Sequence, residues 1–341
     1  MKAVIDDKIP YIREAASRLF DTVAYRPGAE FTASDVKDAD VLIVRTRTHC
    51  DRALLEGSRV KFVATATIGY DHLDTSYLDS AGIGWANQPG CNASSVGQYV
   101  ESTALLLMYK GLLDPARSVI GIVGVGHVGT QVELRLRGLG FSIMRCDPPR
   151  QQAEGGEYYT LSQLAEACDM ICFHVPFTRQ GPYPTYHMAD ENFMNALRKR
   201  PVLLNAARGG VVDEQALLRA MDKGQVGGAV VDTWENEPHI NQTLLNRALI
   251  ATPHVAGYSA DGKARATQMA LESVCRYFHM PIDFEIKSPK LPASLRPAAD
   301  EAERKLQLYD PRRDTAALRR NPAKFEWLRG NYPLRREVWD Q

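Results

Sequence analysis

The run Gly124-Val125-Gly126-His127-Val128-Gly129 follows directly on the apolar stretch Val119 to Val123. Alone such a pattern is weak evidence; the strand before it, the helix after it and an acid beyond narrow the choice. The first glycine permits a tight turn out of a buried strand, the second lets backbone approach a pyrophosphate, and the third lets the following helix pack close on the strand. Gly124, Gly126 and Gly129 fit these roles in order. Backbone N–H groups at His127 and Val128, with the helix dipole, would hold the anion, and the His127 side chain is read as helix surface. Asp147 closes the next apolar stretch. It is either the acid that accepts hydrogen bonds from an adenosine ribose or an ordinary turn acid before Pro148 and Pro149. As a ribose ligand it would repel a 2′-phosphate and favour NAD over NADP, although Arg145 and Arg150 nearby argue the other way.

The glycine run comes late, after a stretch that already reads as a folded unit. Short apolar strands alternate with helical segments: Ala3 to Ile5, then a helix over Tyr11 to Phe20, then Val41 to Val44, Val60 to Thr65, and Gly84 to Asn87. A long helix is expected over Ser94 to Leu113. Further strands are expected at Val119 to Val123, Ile143 to Cys146, Met170 to Val175, Val202 to Asn205, Ala229 to Asp232 and Leu249 to Ala251. With 341 residues, 45% of them hydrophobic, the chain can support two domains. The expected fold is α/β: a Rossmann-type doubly wound parallel sheet inserted in a smaller, flavodoxin-like α/β substrate domain. Residues 94–258 would form the nucleotide domain, and residues 1–93 with 259–281 the substrate-binding lid. Closure of the lid on the nucleotide domain is a further expectation.

Lys plus Arg and Asp plus Glu both number 41, so there is no global basic field to attract nucleic acid or an anionic membrane. No apolar run is long enough to span a bilayer, and the N-terminus lacks the regions of a signal peptide, so a cytoplasmic location is expected. The six cysteines show no paired ligand spacing; reduced structural thiols and no metal are expected.

Three segments that each end a predicted strand carry the chemistry: Asn205-Ala206-Ala207-Arg208-Gly209-Gly210, Asp232-Thr233-Trp234-Glu235-Asn236-Glu237-Pro238, and Thr252-Pro253-His254-Val255-Ala256-Gly257. Oxidation of a secondary alcohol by a nicotinamide requires a base for the hydroxyl proton, an anchor for the substrate and a fixed place for the cofactor. An imidazole, with an ordinary pKa near ~6.5, exchanges protons near neutral pH, so His254 is the candidate base. An acid from the preceding segment, Glu235 or Glu237, would orient its ring. Arg208 offers a planar fork for a carboxylate. Taken singly, each residue also has a bland reading as turn cap, loop acid or structural ion pair. The other seven histidines are read as surface or satisfied core residues.

Together these segments resemble the D-2-hydroxyacid dehydrogenase family, whose pattern places an arginine, a glutamate and a histidine after consecutive strands of the nucleotide domain. The resemblance implies Arg208, Glu237 and His254 as the catalytic residues. It also implies that Ala206, Ala207, Arg208 and Asp232 contact the nicotinamide end and that Val175 and Gly257 line the cofactor. Arg45-Thr46, Thr65-Ala66-Thr67, Gln88-Pro89-Gly90-Cys91-Asn92-Ala93, Cys146-Asp147-Pro148-Pro149-Arg150 and Gly181-Pro182-Tyr183 resemble a branch of that family acting on a small phosphorylated hydroxy acid. That likeness implies Thr46, Thr67 and Tyr258 as substrate contacts. Arg45 and Arg47, set among hydroxyl side chains at a strand end, are phosphate candidates on their own chemistry, with a solvated turn as the other reading. A different 2-hydroxyacid dehydrogenase, such as one acting on 3-phosphoglycerate, and a non-catalytic NAD sensor on the same fold both stay open.

Beyond Met280, Pro281, Pro289, Pro292 and Pro297 rule out a continuous helix. From Lys287 to Gln341 there are 13 Lys and Arg against 8 Asp and Glu, a net +5 in a chain of formal net charge +0. Residues 282–341 resemble a shortened form of the family branch's dimerisation segment and imply a homodimer. A basic tail for another partner is the alternative.

Overall fold

The computed structural model describes residues 1–292, 298 and 300–339; Pro297 lies outside them. The chain divides into two compact units, Met1–Asn92 with Ser259–Lys290, and Ala93–Tyr258 with Leu291–Gln341.

The first unit is built on a parallel sheet of β1 (Lys2–Asp6), β2 (Thr22–Arg26), β3 (Val41–Val44), β4 (Phe62–Thr65) and β5 (Gly84–Ala86), in the order β2-β1-β3-β4-β5. Neighbouring residues of one strand enter opposite cores. Ile5, Ile43 and Ala64 pack with Leu271 and Val274 of the helix Ala260–Tyr277, whereas Val4, Leu42 and Val63 pack with Leu54 and Leu78. Burial on both faces explains why these strands read as unbroken apolar runs. Strand β2 escapes that pattern: it is an edge strand, exposed at Thr22 and Arg26, and its sequence TVAYR carries no such run.

The second unit has six parallel strands: β6 (Val119–Val123), β7 (Ser142–Cys146), β8 (Met170–Phe173), β9 (Val202–Asn205), β10 (Gly228–Val231) and β11 (Ile250–Ala251). Their order is β11-β10-β9-β8-β6-β7. Ile171, Phe173, Leu203 and Val231 face one core; Met170, Cys172, Leu204 and Val230 face the other. Cutting one of the buried leucines to alanine would cost about 2–5 kcal/mol. The helix Ala93–Tyr109 fills the second core with Tyr99, Leu105 and Leu106, and ends earlier than its apolar pattern suggests. Gly111, at φ +69°, turns the chain out of the helix in the left-handed region that favours glycine.

The tail re-enters this second unit. Its described part carries helices Glu301–Leu308, Pro311–Arg320 and Phe325–Gly330. Leu306 and Tyr309 join one core, Leu318 and Phe325 the other. Polar contacts fix the seam: Lys305 pairs with Glu101 at 2.7 Å, and the Thr315 hydroxyl accepts the Ala251 N–H at 3.1 Å. All six cysteines are buried and none forms a disulfide among the described residues; burial pushes the Cys50 and Cys168 thiols up to about 12 and makes them poor nucleophiles. Among the described residues no helix is long and apolar enough to cross a membrane.

Candidate active site

In the second sheet the chain order reverses between β6 and β8, the point where open α/β sheets bind ligands beyond the carboxyl ends of their strands. Gly124 leaves β6 at φ +87°, and a Cβ there would lie 2.8 Å from the His174 carbonyl oxygen. A Cβ on Gly129 would lie 2.0 Å from the Gly124 oxygen, so only glycine lets the helix His127–Gly138 start this close to the strand. Gly126 differs, because a Cβ there would meet nothing within 4 Å. Gly126 is the helix N-cap and supplies no side-chain cap, which leaves the N–H groups of the first turn, with His127 exposed and Val128 half-buried, facing open space. A cradle closed on the protein side and open in front fits a dinucleotide pyrophosphate.

Asp147 braces this loop. One carboxylate oxygen accepts the Val125 N–H at 2.7 Å, and the other caps the helix Pro148–Glu154 by accepting the Arg150 N–H at 3.0 Å. Arg150 donates back to the Val125 carbonyl. The acid thus has a structural task at the position from which it would meet a ribose. Val175, which follows β8, is the other neighbour a Gly124 Cβ would strike, at 2.8 Å.

The chemistry-bearing residues follow β9, β10 and β11, which are adjacent and parallel. After β9, the Asn205 side chain accepts from Ala207 N–H at 3.1 Å and donates to the Arg208 carbonyl at 3.0 Å, turning the chain so that Ala206 is half-buried and Arg208 exposed. Gly209 is obligatory in this turn, since a Cβ would lie 1.9 Å from the Trp234 oxygen. After β10, Glu237 accepts the Trp234 N–H at 2.9 Å with Oε1, and after β11 its Oε2 meets Nδ1 of His254 at 2.8 Å. A carboxylate only accepts, so the imidazole carries its proton on Nδ1 and leaves Nε2 as the acceptor. Burial would push the Glu237 carboxyl up, but the hydrogen bond and charge of His254, the Trp234 N–H and the charge of Arg329 outweigh it and hold Glu237 below its ordinary value.

His254 sits at φ +56°, a conformation side chains rarely adopt, so its loop must be held from outside. Asp232 does this from one side. It is fully buried, accepts the Val255 and Ala256 N–H groups at 2.8 and 3.0 Å and the Thr252 hydroxyl at 2.6 Å, and lends its carbonyl to His254 N–H at 2.8 Å. Arg335 does it from the other. The buried guanidinium donates to the Val255 and Ala256 carbonyls at 3.1 and 3.2 Å, to Gln98 at 2.8 Å and to the Ser95 carbonyl at 2.6 Å. Gly257 and Tyr258 end this loop, both half-buried.

Glu235, the alternative partner for His254, is committed elsewhere. It meets Nε2 of His187 at 3.0 Å, and it exchanges backbone-to-carboxylate hydrogen bonds with Glu214 at 2.8 and 3.2 Å. Asp213 stands 3.8 Å from Nδ1 of the same histidine. His187 therefore has an acid at each ring nitrogen, a setting no local pattern around it announces. His174 departs differently from a satisfied core histidine: the residue is half-buried, its two ring nitrogens are enclosed without a partner among the described residues, and burial drives it down to about 3.

In the first unit, Arg45, Thr46 and Arg47 follow β3, and Thr67 follows the neighbouring β4. Arg45 spends two donors on the buried Asp6, at 3.1 and 3.0 Å, which makes it a structural ion pair first. Thr46 and Arg47 are exposed. The Thr67 hydroxyl donates to the Gly69 carbonyl at 2.9 Å and lies 2.7 Å from the Thr65 hydroxyl, which is 2.9 Å from His72.

The NAD-binding domain model of the D-isomer specific 2-hydroxyacid dehydrogenases matches residues 107–256. An erythronate-4-phosphate dehydrogenase of Bacteroides thetaiotaomicron is 52% identical over 99% of this chain and 97% of its own. One from Escherichia coli O81 is 40% identical over 99% of this chain and 92% of its own. Among solved structures, D-2-hydroxyisocaproate dehydrogenase superposes with a TM-score of 0.69 at 21% identity, covering 82% of this chain and 97% of that one. The NAD+-bound 3-phosphoglycerate dehydrogenase of Entamoeba histolytica gives 0.67 at 24% identity, covering 84% and 99%. These two likenesses bear on fold alone. By the near-full-length relatives and the matched NAD-binding domain, the chain belongs to the D-isomer specific 2-hydroxyacid dehydrogenases, in the erythronate-4-phosphate dehydrogenase family.

Proposed function

We propose that the chain oxidises 4-phospho-D-erythronate to (R)-3-hydroxy-2-oxo-4-phosphobutanoate with NAD, a step of vitamin B6 synthesis, in the cytoplasm and as a homodimer. The observation that carries the reading is the Glu237–His254 pair, 2.8 Å apart, on the same sheet edge as Arg208 and the glycine cradle. Bound NAD supplies a hydride acceptor for the hydrogen on C2 of the substrate. Nε2 of His254 takes the C2 hydroxyl proton, and Glu237 stabilises the imidazolium that results. The electron pair of the C2–H bond leaves with the hydride, that of the O–H bond stays on oxygen, and C2 becomes a ketone. Arg208 binds the neighbouring carboxylate and polarises the developing carbonyl oxygen. Ala206, Ala207 and Asp232 serve the nicotinamide end, Val175 and Gly257 line the cofactor, and Asp147 meets the ribose. Thr46, Thr67 and Tyr258 contact the substrate, with Arg45 and Arg47 as the phosphate candidates; Arg45 also spends two donors on Asp6.

Incubation of the protein with NAD and 4-phosphoerythronate, 3-phosphoglycerate or D-lactate, followed by NADH absorbance, tests the reading. Highest kcat/KM with 4-phosphoerythronate is expected. Preference for 3-phosphoglycerate would retain the residue roles and replace the substrate; no turnover of any hydroxy acid would overturn the enzyme.

A further inference from the structure

The tail brings a cation to Tyr258, on the loop that carries His254. Arg329, on the helix Phe325–Gly330, sets its guanidinium carbon 5.8 Å from the centre of the Tyr258 ring and 5.9 Å from that of Phe325. Nη1 pairs with Glu326 at 3.1 Å, while the buried Nε has no partner among the described residues. Tyr258 belongs to the His254 loop and also packs edge-on against Tyr332 of the tail, with ring centres 5.9 Å apart. The Arg329 side chain is 23% exposed, so its field reaches its neighbours through protein more than through water.

We infer that Arg329 is a positioning residue of the reaction: its fixed charge, seated on Tyr258 by the tail, counterbalances Glu237 and limits how strongly that carboxylate favours the imidazolium form of His254. The inference rests on the reading of Glu237 and His254 as the acid–base pair. Without a counter-charge, a carboxylate hydrogen-bonded to an imidazole holds the proton that the base must release between turnovers. Acids also crowd the pair, while Arg335 behind the His254 loop has its fork engaged by carbonyls. Asp232 feels the charge of His254, Glu214 feels those of Glu235 and Glu237, and Glu326 draws on Arg329 itself. Arg329 is the cation whose charge acts on Glu237 in company with that of His254.

The seat is rigid. Arg335 lies 3.5 Å over the Tyr309 ring and ties the tail to the Val255 and Ala256 carbonyls, so helix and His254 loop are fixed to one another through the chain itself. This gives the tail of one protomer a task at its own site, in addition to any part it takes in dimerisation.

The test compares Arg329→Gln and Arg329→Met, which remove the charge, with Arg329→Lys, which keeps it; Met retains an apolar stem against the rings if Gln does not fold. Thermal midpoints and NAD affinity establish that each variant is folded and loaded. In hydroxy-acid oxidation the acid limb of kcat/KM marks formation of the free base. We expect this limb to move up by about half a pH unit or more in Gln and Met, and to stay near the wild-type position in Lys. A fall in kcat with an unmoved limb in all three would reduce Arg329 to packing and overturn the inference. If the wild-type protein oxidises no hydroxy acid, the catalytic reading fails separately, and NMR titration of the His254 imidazole still decides. An upward shift in Arg329→Met supports the electrostatic link; an unchanged midpoint sinks it.

Discussion

Nδ1 of His254 donates to Oε2 of Glu237 at 2.8 Å, while Oε1 of the same carboxylate accepts the Trp234 N–H at 2.9 Å. The acid is therefore fixed by backbone before it orients the ring, and the imidazole inherits both tautomer and direction from it. Glu237→Gln keeps the shape and removes the charge that stabilises the imidazolium. We expect kcat to fall by roughly 10²–10⁴-fold and the acid limb of the pH profile to move down, because the protonated ring loses its counter-ion. His254→Ala should lose at least as much turnover while NAD binding, measured by fluorescence quenching, stays near wild type. Equal loss of NAD affinity would place the histidine in the cofactor site instead.

Arg208 is exposed, and one guanidinium nitrogen donates to the Ala207 carbonyl at 2.8 Å. That bond anchors the base of the fork and leaves further donors for a carboxylate. Lysine keeps the charge and loses the planar geometry. Arg208→Lys should raise KM and lower kcat together, for a loss in kcat/KM of about ten- to a hundredfold, or about 1.4–2.8 kcal/mol. A change in KM alone would limit Arg208 to ground-state binding.

The buried Arg335 fork satisfies carbonyls on both the His254 loop and the helix Ala93–Tyr109. Arg335→Met fills similar space but leaves those carbonyls without a donor. Breaking a buried charged hydrogen-bond set of this kind costs about 3–5 kcal/mol, which should appear as a lowered thermal midpoint and, in protein that stays folded, a lowered kcat. A variant with wild-type stability would show that the loop is held by Asp232 alone.

The parts of this protein written in contiguous residues were legible in the sequence. Buried strands such as Val41–Val44 and Val202–Asn205 are covered on both faces and read as apolar runs, and the glycines of the loop answer steric demands that only glycine meets. Arg208 and His254 could be singled out because each stands just past a strand, whereas Glu237 lies further along its loop and was preferred to Glu235 by the family resemblance. Contacts made across the fold left no local trace. Nothing around Arg335 signals that it reaches Ser95, and nothing around His187 signals that Glu235 and Asp213 will flank it. The edge strand Thr22–Arg26 was hidden for a related reason: its ends are exposed and its middle residues only half-buried, so burial demanded no unbroken apolar run there.

Glu214 supplies the last test, through stability. Burial pushes its carboxyl up to about 7; the Glu235 N–H opposes the rise, and the charges of Glu235, Glu237 and Asp213 add to it. The folded state thus holds the proton more tightly than the unfolded chain does, whose value is near 4.5. Stability from this group is fully present below that unfolded value, declines as pH rises through about 7, and is lost above it. Glu214→Gln retains a carbonyl oxygen for the Glu235 N–H and cannot ionise. Thermal melts across this range should show the wild type losing a few degrees relative to the variant between about pH 5 and pH 8, with the two converging on the acid side. Parallel curves across the whole range would mean that Glu214 ionises in the fold as freely as in the unfolded chain, and that the acid cluster behind Glu237 is relieved by its His187 partner rather than by a proton.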